Sequence, residues 1–209
     1  MTKTSFIWDF DGTLVDSYPA ILESLEVTYQ HFDLPFDRVA VEKYILEKST
    51  GDLLLDLEKA YGISFEALKK KQSLEQAARD DSIVLMAGAI EVLEWARKEE
   101  IQNFIYTHKG ATTASVLERL GISDYFTEVI TSANGFKRKP HPQAIDYLVE
   151  KYQLVKGDIV YIGDRKLDMD LAFKAGISSI NLTQGENEYN RKIGKLTDVL
   201  KVLSKNIRF

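Results

Sequence analysis

The chain has 209 residues, 44% of them hydrophobic, and a formal net charge of −5, which allows one core of ordinary size and a smaller inserted unit. The negative charge excludes an overall positive field for nucleic acid or an anionic membrane, so we expect a small ligand as the partner. The sequence contains no cysteine, which excludes disulfides, thiolate metal sites and thiol catalysis.

The first predicted element is a short buried strand, Ser5–Trp8, which stops at Asp9 and Asp11. These acidic residues interrupt the early apolar run before it could form a secretory signal, and no other apolar run is long enough to span a bilayer, so we expect a cytoplasmic enzyme. Burying an ionised carboxylate is costly unless a cation or hydrogen bonds compensate. Two together indicate a hard metal ion and chemistry on a phosphoryl group, with a plain Asp-Gly turn as the alternative.

Residues 16–83 contain four predicted helices with no strand between them, which indicates an all-helical insertion. The helices are Pro19–Phe32, Val39–Glu47, Asp52–Tyr61 and Phe65–Arg79. A ligand at the carboxyl ends of the strands would lie beneath this unit, so we expect a lid, with an ordinary second domain as the alternative. Lys48, Thr50 and Gly51 are predicted to form a loop over the substrate, because Gly51 breaks two helices; a plain interhelical turn is the alternative.

From Gly88 onward, predicted strands alternate with amphipathic helices. The strands are Asn103–Thr107, Glu128–Thr131, Ile159–Ile162 and Ser178–Leu182, and the helices are Ala89–Glu99, Thr112–Leu120, Pro142–Lys151 and Lys166–Ala175. Gly121 and Gly176 directly follow two of the helices, as stop residues do. The alternation predicts an α/β fold, a doubly wound parallel sheet with a Rossmann-like core formed by residues 1–15 and 84–209.

Polar residues follow several of these strands. Asp9 can attack phosphorus directly, and Asp11 can protonate the leaving alkoxide and later deprotonate water. Thr107 ends the second long strand, where a hydroxyl and backbone N–H groups at a helix entrance can bind an anion, although such a threonine is often only structural or a cap. His108, the next residue, either contacts the substrate or is solvated.

A basic loop and the last long strand complete the candidate site. Pro140 biases Lys139 toward extended backbone, where its ammonium could neutralise Asp9 and a phosphoryl group; the alternative is a solvated loop. Asp164 ends a buried strand and Asp168 lies four residues later. Asp164 could bind Mg²⁺ directly while Asp168 orients its waters, or the two could serve as a helix N-cap and a dipole partner without metal.

Together these strand ends resemble the haloacid dehalogenase-like hydrolase superfamily, specifically its phosphatase branch with a helical cap inserted after the first strand. The segment Asp9-x-Asp11-Gly12-Thr13-Leu14-Val15-Asp16-Ser17 looks like the first family motif, Thr107 the second, Lys139-Pro140 the third and Gly163-Asp164-x-x-x-Asp168 the fourth. His108 and Arg165 depart from the pattern, since the family often has Asn and Ser or Thr at these positions.

The resemblance implies specific roles. Asp9 would be the nucleophile and a metal ligand, Asp11 a general acid/base that also ligates Mg²⁺ through its backbone carbonyl, and Asp164 a further metal ligand. Thr107 and Lys139 would bind the phosphoryl group. A dehalogenase is disfavoured, because dehalogenases of this fold lack the second acid that Asp11 supplies.

The expected function is a Mg²⁺-dependent phosphomonoester hydrolase of a small phosphorylated metabolite, similar to phosphoglycolate phosphatase, acting through an aspartyl-phosphate. One alternative is a sugar phosphomutase of the β-phosphoglucomutase type, which uses the same strand ends. The predicted cap loop holds no arginine cluster for a second phosphate, which favours hydrolysis. The other alternative is a non-catalytic protein that binds Mg²⁺ or a phosphorylated partner.

Overall fold

The computed structural model of the chain describes residues 4–204, which form two compact units. One unit consists of the chain up to Asp16 together with the chain from Val84 onward, and the other is Ser17–Ile83. Within residues 4–204, no helix combines the length and the apolar character needed to cross a membrane.

In chain order, the strands and α-helices are β1 (Ser5–Trp8), β2 (Val15–Asp16), α1 (Tyr18–His31), α2 (Arg38–Glu47), α3 (Thr50–Tyr61), α4 (Phe65–Ala77), β3 (Val84–Leu85), α5 (Ala89–Lys98), β4 (Gln102–Tyr106), α6 (Thr113–Arg119), β5 (Glu128–Ile130), α7 (Gln143–Tyr152), β6 (Ile159–Gly163), α8 (Lys166–Ala175), β7 (Ser178–Asn181), β8 (Asn190–Lys192) and α9 (Asp198–Ser204).

Six strands of the first unit form one parallel sheet in the order β5–β4–β1–β6–β7–β8. The chain moves outward from β1 through β4 to β5, and then resumes on the other side of β1 at β6. This reversal is the topological switch point of a doubly wound sheet, where ligands bind beyond the carboxyl ends of the strands. The predicted α/β class is therefore confirmed.

Strand β1 is central and fully buried on both faces, as expected of a parallel sheet. Ile7 belongs to a core cluster formed with α7 and α8, whereas the ring of Phe6, on the opposite face, stacks on Trp95 of α5 at a centroid distance of 6.4 Å. Trp8 lies on the same face as Phe6, and its indole N–H donates to the side-chain oxygen of Asn103 at 2.9 Å. Apolar packing on both faces therefore fixes the strand that carries Asp9.

The second unit consists of four helices around a separate apolar cluster. That cluster contains Ile21, Leu22, Leu25, Tyr29, Val41, Ile45, Leu53, Leu54, Leu57 and Leu68. Side chains cap three of the helices: Asp37 accepts from the Ala40 N–H at 3.1 Å, Ser49 from Asp52 at 3.1 Å and Ser64 from Ala67 at 3.3 Å. Each cap satisfies an N–H that the first helical turn leaves without an internal partner.

The Ser49 cap corrects one sequence expectation. Gly51 does not break two helices, because α3 already begins at Thr50 and Gly51 lies in its first turn. The helix break falls instead at Lys48, whose backbone leaves the helical conformation at the end of α2. Serine at an N-cap and the capping bond from Asp52 override the low helix propensity of a single glycine.

Four short elements do not appear in the sequence prediction. Strands β2 and β3 are two residues each and pair antiparallel, Val15 with Leu85 and Asp16 with Val84, so neither shows a periodicity. Strand β8 has the polar sequence Asn-Arg-Lys and is joined to β7 through the buried Asn190, whose side chain accepts from the Ser179 hydroxyl at 2.7 Å. Helix α9 was also not predicted.

The buried hydrogen bond between Trp8 and Asn103 yields a first prediction. Asn103→Leu keeps a similar side-chain volume but leaves the indole N–H of Trp8 buried without an acceptor, which should lower the free energy of unfolding by about 1–3 kcal/mol. Gln102→Leu changes the exposed neighbour on β4 and should shift it by less than roughly 0.5 kcal/mol. Urea denaturation measures both, and equal stabilities of the two variants would contradict the assigned bond.

Candidate active site

The site lies where three adjacent parallel strands end. Strand β1 is flanked by β4 and β6, and the chain leaves the sheet from these strands at Asp9, Thr107 and Asp164. Backbone bonds extend the pairing past the strand ends, since the Asp9 N–H donates to the Ile162 carbonyl at 2.8 Å. The topology therefore brings the first, second and fourth predicted motifs to one edge of the sheet.

A tight turn follows Asp9 and returns the chain toward β6. The Phe10 carbonyl accepts from the N–H groups of Thr13, Leu14 and Val15 at 3.0–3.3 Å. Gly12 has a φ of 77°, a left-handed conformation that glycine adopts without steric cost. The turn brings the Thr13 hydroxyl to the Asp164 carboxylate, where it donates to Oδ1 at 3.2 Å.

The centre of the site is a buried ion triad. The Lys139 ammonium donates to Asp9 Oδ1 and to Asp168 Oδ1, at 2.8 Å each, and all three side chains are at most 1% exposed. The ammonium also lies 5.2 Å from the ring centroids of Tyr106 and Tyr161, a cation–π arrangement. The alternative of a solvated loop is therefore excluded as the environment of the Lys139 side chain.

Burial and pairing shift the pKa values of the triad in different directions. Burial alone lowers the pKa of Lys139, but the Asp168 and Asp9 carboxylates raise it, and the net pKa lies above its ordinary value. Burial raises the pKa of Asp9 to about 6, reinforced by the Asp168 charge and opposed by Lys139. Burial also acts to raise the pKa of Asp168, but Lys139 and Arg165 outweigh it, so that pKa is lowered.

The arrangement fits a hard divalent cation. Asp9, Asp164 and Asp168 offer carboxylate oxygens that lie within 4.8 Å of one another, and oxygen ligands are those that Mg²⁺ prefers. Two buried carboxylate oxygens, Oδ2 of Asp9 and Oδ1 of Asp11, accept no hydrogen bond from the described residues. A buried acceptor without a donor is costly, and a bound cation or a substrate group would satisfy it.

The two aspartates of the fourth motif differ in their hydrogen bonds. Both oxygens of Asp168 already have donors, Lys139 Nζ on Oδ1 and the Arg165 N–H on Oδ2 at 3.1 Å. Asp168 is therefore suited to holding Lys139 and the start of α8. The sequence expectation that Asp164 binds the ion directly while Asp168 orients the waters of the ion stays a prediction.

Thr107 and His108 adopt different environments at the end of β4. The Thr107 hydroxyl is buried and accepts from the Lys109 N–H at 3.0 Å, so it can still donate to a substrate oxygen. His108 Nε2 accepts from the Lys139 N–H at 3.0 Å, which requires an unprotonated Nε2. Burial, then the Lys139 charge, lowers the pKa of His108 to about 2, so the imidazole is neutral and holds the Lys139 backbone.

The residues predicted to form the cap loop lie within the helical unit. Lys48 Nζ lies 3.3 Å from the Tyr44 hydroxyl and 3.8 Å from Asp56 Oδ2. Thr50 and Gly51 are the first residues of α3. Contact of Lys48, Thr50 or Gly51 with a substrate stays a prediction from the sequence.

Sequence reasoning missed three groups around the triad. Tyr106 and Tyr161 flank Lys139, and the Tyr161 hydroxyl donates to the Tyr106 carbonyl at 3.1 Å; buried aromatic residues on strands are common in cores, so no pattern marked them. Arg165 was noted only as a departure from the family. Its guanidinium Nη2 lies 3.7 Å from Asp9 Oδ2, a proximity that no sequence spacing reveals.

Comparison with known proteins agrees with this geometry. The haloacid dehalogenase-like hydrolase family matches residues 6–182. The chain belongs to this family. The match spans both units and contains all four motifs, which confirms the family resemblance inferred from the sequence. The phosphatase branch of that resemblance is supported by the relatives, among which is a phosphoglycolate phosphatase.

Individual relatives of this hydrolase cover most of its length. A phosphoglycolate phosphatase from Photobacterium profundum is 32% identical over 193 residues, covering 86% of this chain and 83% of the relative. A hydrolase from Streptococcus pneumoniae TIGR4 is 27% identical, with a TM-score of 0.63 and coverage of 98% and 100%. A hydrolase from Pseudomonas syringae is 25% identical, with a TM-score of 0.79 and coverage of 97% and 99%.

The packing of Gly163 against Asp168 yields a second prediction. A Cβ atom at Gly163 would lie 2.5 Å from the Asp168 Cβ and 2.6 Å from its Oδ2. Gly163→Ala should therefore displace Asp168 and lower the free energy of unfolding by about 1–3 kcal/mol. Gly157→Ala, where a Cβ atom meets nothing within 4 Å, is the matched control. Urea unfolding distinguishes them, and equal stabilities would show that Asp168 is not confined as described.

The raised pKa of Asp9 yields a third prediction, for protein stripped of metal with EDTA. An aspartate whose folded-state pKa is raised contributes most to stability below its unfolded pKa, and this contribution is lost as the pH rises through about 6. The Asp9→Asn variant has no carboxyl group at position 9 to ionise, so its stability does not undergo this loss as the pH rises. The stability of Asp9→Asn relative to the wild type should rise by roughly 2–3 kcal/mol between pH 4 and pH 7. Urea unfolding across this range tests it; a pH-independent difference would contradict the burial of an ionised Asp9.

Proposed function

We propose that this hydrolase is a Mg²⁺-dependent phosphomonoester hydrolase of a small phosphorylated metabolite of the phosphoglycolate type, acting through phospho-Asp9. The observation that carries the proposal is the asymmetry of Asp9. Its Oδ1 accepts from Lys139 Nζ and from the Phe10 N–H, each at 2.8 Å, whereas Oδ2 is buried and accepts no hydrogen bond from residues 4–204. The protein thus orients the carboxylate and leaves one oxygen for reaction.

In the first step, Asp9 Oδ2 attacks the phosphorus atom of the bound ester. The bond between phosphorus and the ester oxygen breaks, and the departing oxygen takes a proton from Asp11. Lys139 keeps the other Asp9 oxygen in place, and the Thr107 hydroxyl can donate to a phosphoryl oxygen. The products are an alcohol, ionised Asp11 and an acyl phosphate on Asp9.

In the second step, a water molecule attacks the phosphorus of phospho-Asp9 and gives a proton to Asp11. The bond between phosphorus and Asp9 breaks, which releases inorganic phosphate and restores both aspartates. Asp11 therefore acts once as an acid and once as a base. The buried Oδ1 of Asp11, which lacks a hydrogen bond from any described residue, is consistent with a group reserved for proton transfer.

The main barrier to the first step is repulsion between an ionised carboxylate and an anionic ester. Three carboxylates, Asp9, Asp164 and Asp168, are accompanied by the cations Lys139 and Arg165, so this set of side chains carries one net negative charge. Mg²⁺ held by the Asp9 and Asp164 carboxylates and the Asp11 carbonyl would supply the positive charge that neutralises the transferring phosphoryl group. Asp168 would hold Lys139 rather than the ion.

The choice of substrate rests on the relatives. The 32% identical relative is a phosphoglycolate phosphatase, and the negative net charge of the chain favours a small ligand over nucleic acid. We therefore place phosphoglycolate first among the esters to be tested. The helical unit, Ser17–Ile83, is proposed as the cap that selects among them.

A fourth prediction tests the nucleophile. Asp9→Asn should reduce phosphate release from phosphoglycolate and from p-nitrophenyl phosphate by at least about 10⁴-fold in Mg²⁺ buffer, because an amide oxygen cannot form the acyl phosphate. Asp124→Asn removes an exposed carboxylate of the same unit and should retain wild-type activity. EDTA should abolish the wild-type activity and added Mg²⁺ should restore it.

Folding of the Asp9→Asn variant is checked by circular dichroism and urea unfolding. Substantial turnover by the folded variant would remove Asp9 as the nucleophile. Wild-type protein that releases no phosphate from any ester of a broad panel, with or without Mg²⁺, would refute the proposed function altogether.

A further inference from the structure

We propose that Arg165 is a further catalytic residue, whose guanidinium binds the phosphoryl group while it is transferred to Asp9. The inference rests on the proposed function and extends it to a residue at which the chain departs from its family. Arg165 occupies the position after Asp164, where the family frequently has serine or threonine, side chains that are much shorter. The longer side chain is what brings a second cation to Asp9.

The two oxygens of Asp9 face different cations. Lys139 Nζ is in direct contact with Oδ1 at 2.8 Å, whereas Arg165 Nη2 lies 3.7 Å from Oδ2. Charge-assisted hydrogen bonds are about 2.7–2.9 Å long, so the guanidinium stops short of bonding to the reactive oxygen. A phosphoryl group attached to Oδ2 carries its non-bridging oxygens outward from Asp9, into the reach of a guanidinium held at that distance.

The backbone of Arg165 is anchored on both sides by buried side chains. Its N–H donates to Asp168 Oδ2 at 3.1 Å, and its carbonyl accepts from the Asn181 amide nitrogen at 3.0 Å. The preceding carbonyl, that of Asp164, accepts from the Thr183 hydroxyl. Arg165 therefore starts from a fixed backbone position, from which its guanidinium Nη2 lies 3.7 Å from Asp9 Oδ2.

The chemistry of the side chain suits this role. Guanidinium presents several N–H donors in a planar fork that matches phosphate oxygens, and it stays charged at any working pH. The Arg165 side chain is only 12% exposed, so its attraction for a phosphoryl group is weakly screened by water. Lys139, occupied by Asp9 and Asp168, cannot offer the same fork.

A purely structural ion pair between Arg165 and Asp9 is the competing explanation. It would predict that loss of the guanidinium weakens the fold and leaves the recognition of a free phosphoryl analogue unchanged. A second competing explanation is that Arg165 binds another anionic group of the substrate, such as the carboxylate of phosphoglycolate. Two compounds separate these possibilities. p-Nitrophenyl phosphate is a substrate without a second anionic group, and orthovanadate is a phosphate analogue without a leaving group.

The experiment compares the wild type with Arg165→Gln, Arg165→Lys and the control Lys166→Gln in Mg²⁺ buffer. Lys166 is the next residue, exposed and paired with Asp170. The measurements are kcat and KM for phosphoglycolate and p-nitrophenyl phosphate, inhibition by orthovanadate, and urea unfolding. We expect Arg165→Gln to lose about 10²-fold in kcat on both substrates and to bind orthovanadate correspondingly less tightly. Arg165→Lys should recover part of both, and Lys166→Gln should match the wild type.

Three results would overturn the proposal. They are an unchanged kcat in Arg165→Gln, a loss confined to phosphoglycolate, and an unchanged orthovanadate affinity despite lower stability. If Arg165→Gln does not fold, Arg165→Lys decides: a loss of at least tenfold in orthovanadate affinity supports the proposal, and wild-type affinity refutes it. Each of these results presupposes an active wild type, so an inactive wild type would refute the proposed function and with it the role of Arg165.

Discussion

Everything in the candidate site depends on one buried ammonium group between two carboxylates. Removing such charges from water costs several kcal/mol per ion, and the cost is offset only because Lys139, Asp9 and Asp168 meet at hydrogen-bonding distance between two tyrosine rings. Removing Lys139 would leave two buried carboxylates without the cation that they share. The strand that ends at Asp9, the loop before α7 and the first turn of α8 are thereby held together at one point.

The parallel sheet brings these residues together although no sequence pattern links them to one another. Strands β4, β1 and β6 are neighbours, so residues that directly follow them share an edge although they lie far apart in the sequence. Hydrogen bonds at the start of α8 then fix the positions of the side chains at this edge. Asp168 accepts the Arg165 N–H as a helix cap does, and its other oxygen holds Lys139, so a single side chain serves both the helix and the site.

Much of this architecture could be predicted from the sequence, because the deciding signals are local. Apolar runs that end in Asp9 or Asp164, and glycines after helices, mark the long strands and helices. The predicted ends of these elements lie within one or two residues of the observed ends. Strand β8 and the β2–β3 pair were missed because their pairing depends on tertiary hydrogen bonds rather than on periodicity. Gly51 was misplaced because a capping serine outweighs the propensity of one glycine.

The chemistry of the site was less accessible from the sequence than its location. The residue types at Asp9, Asp164 and Asp168 indicated a metal and a phosphoryl group, but not which carboxylate oxygen stays without a donor. The neutral state of His108, which supports the Lys139 backbone, and the distance from Arg165 to Asp9 depend on three-dimensional packing. Such contacts join residues with no fixed spacing, so no motif reports them.

The central claim is that Asp9 forms a covalent bond to phosphorus. Rapid quenching of the wild-type protein during turnover, borohydride reduction of the acyl phosphate and peptide mass spectrometry measure this directly. The account predicts that reduction converts residue 9 to homoserine, only when both substrate and Mg²⁺ are present. Conversion at Asp11 instead, or steady turnover with no reducible acyl phosphate under any quenching time, would contradict it.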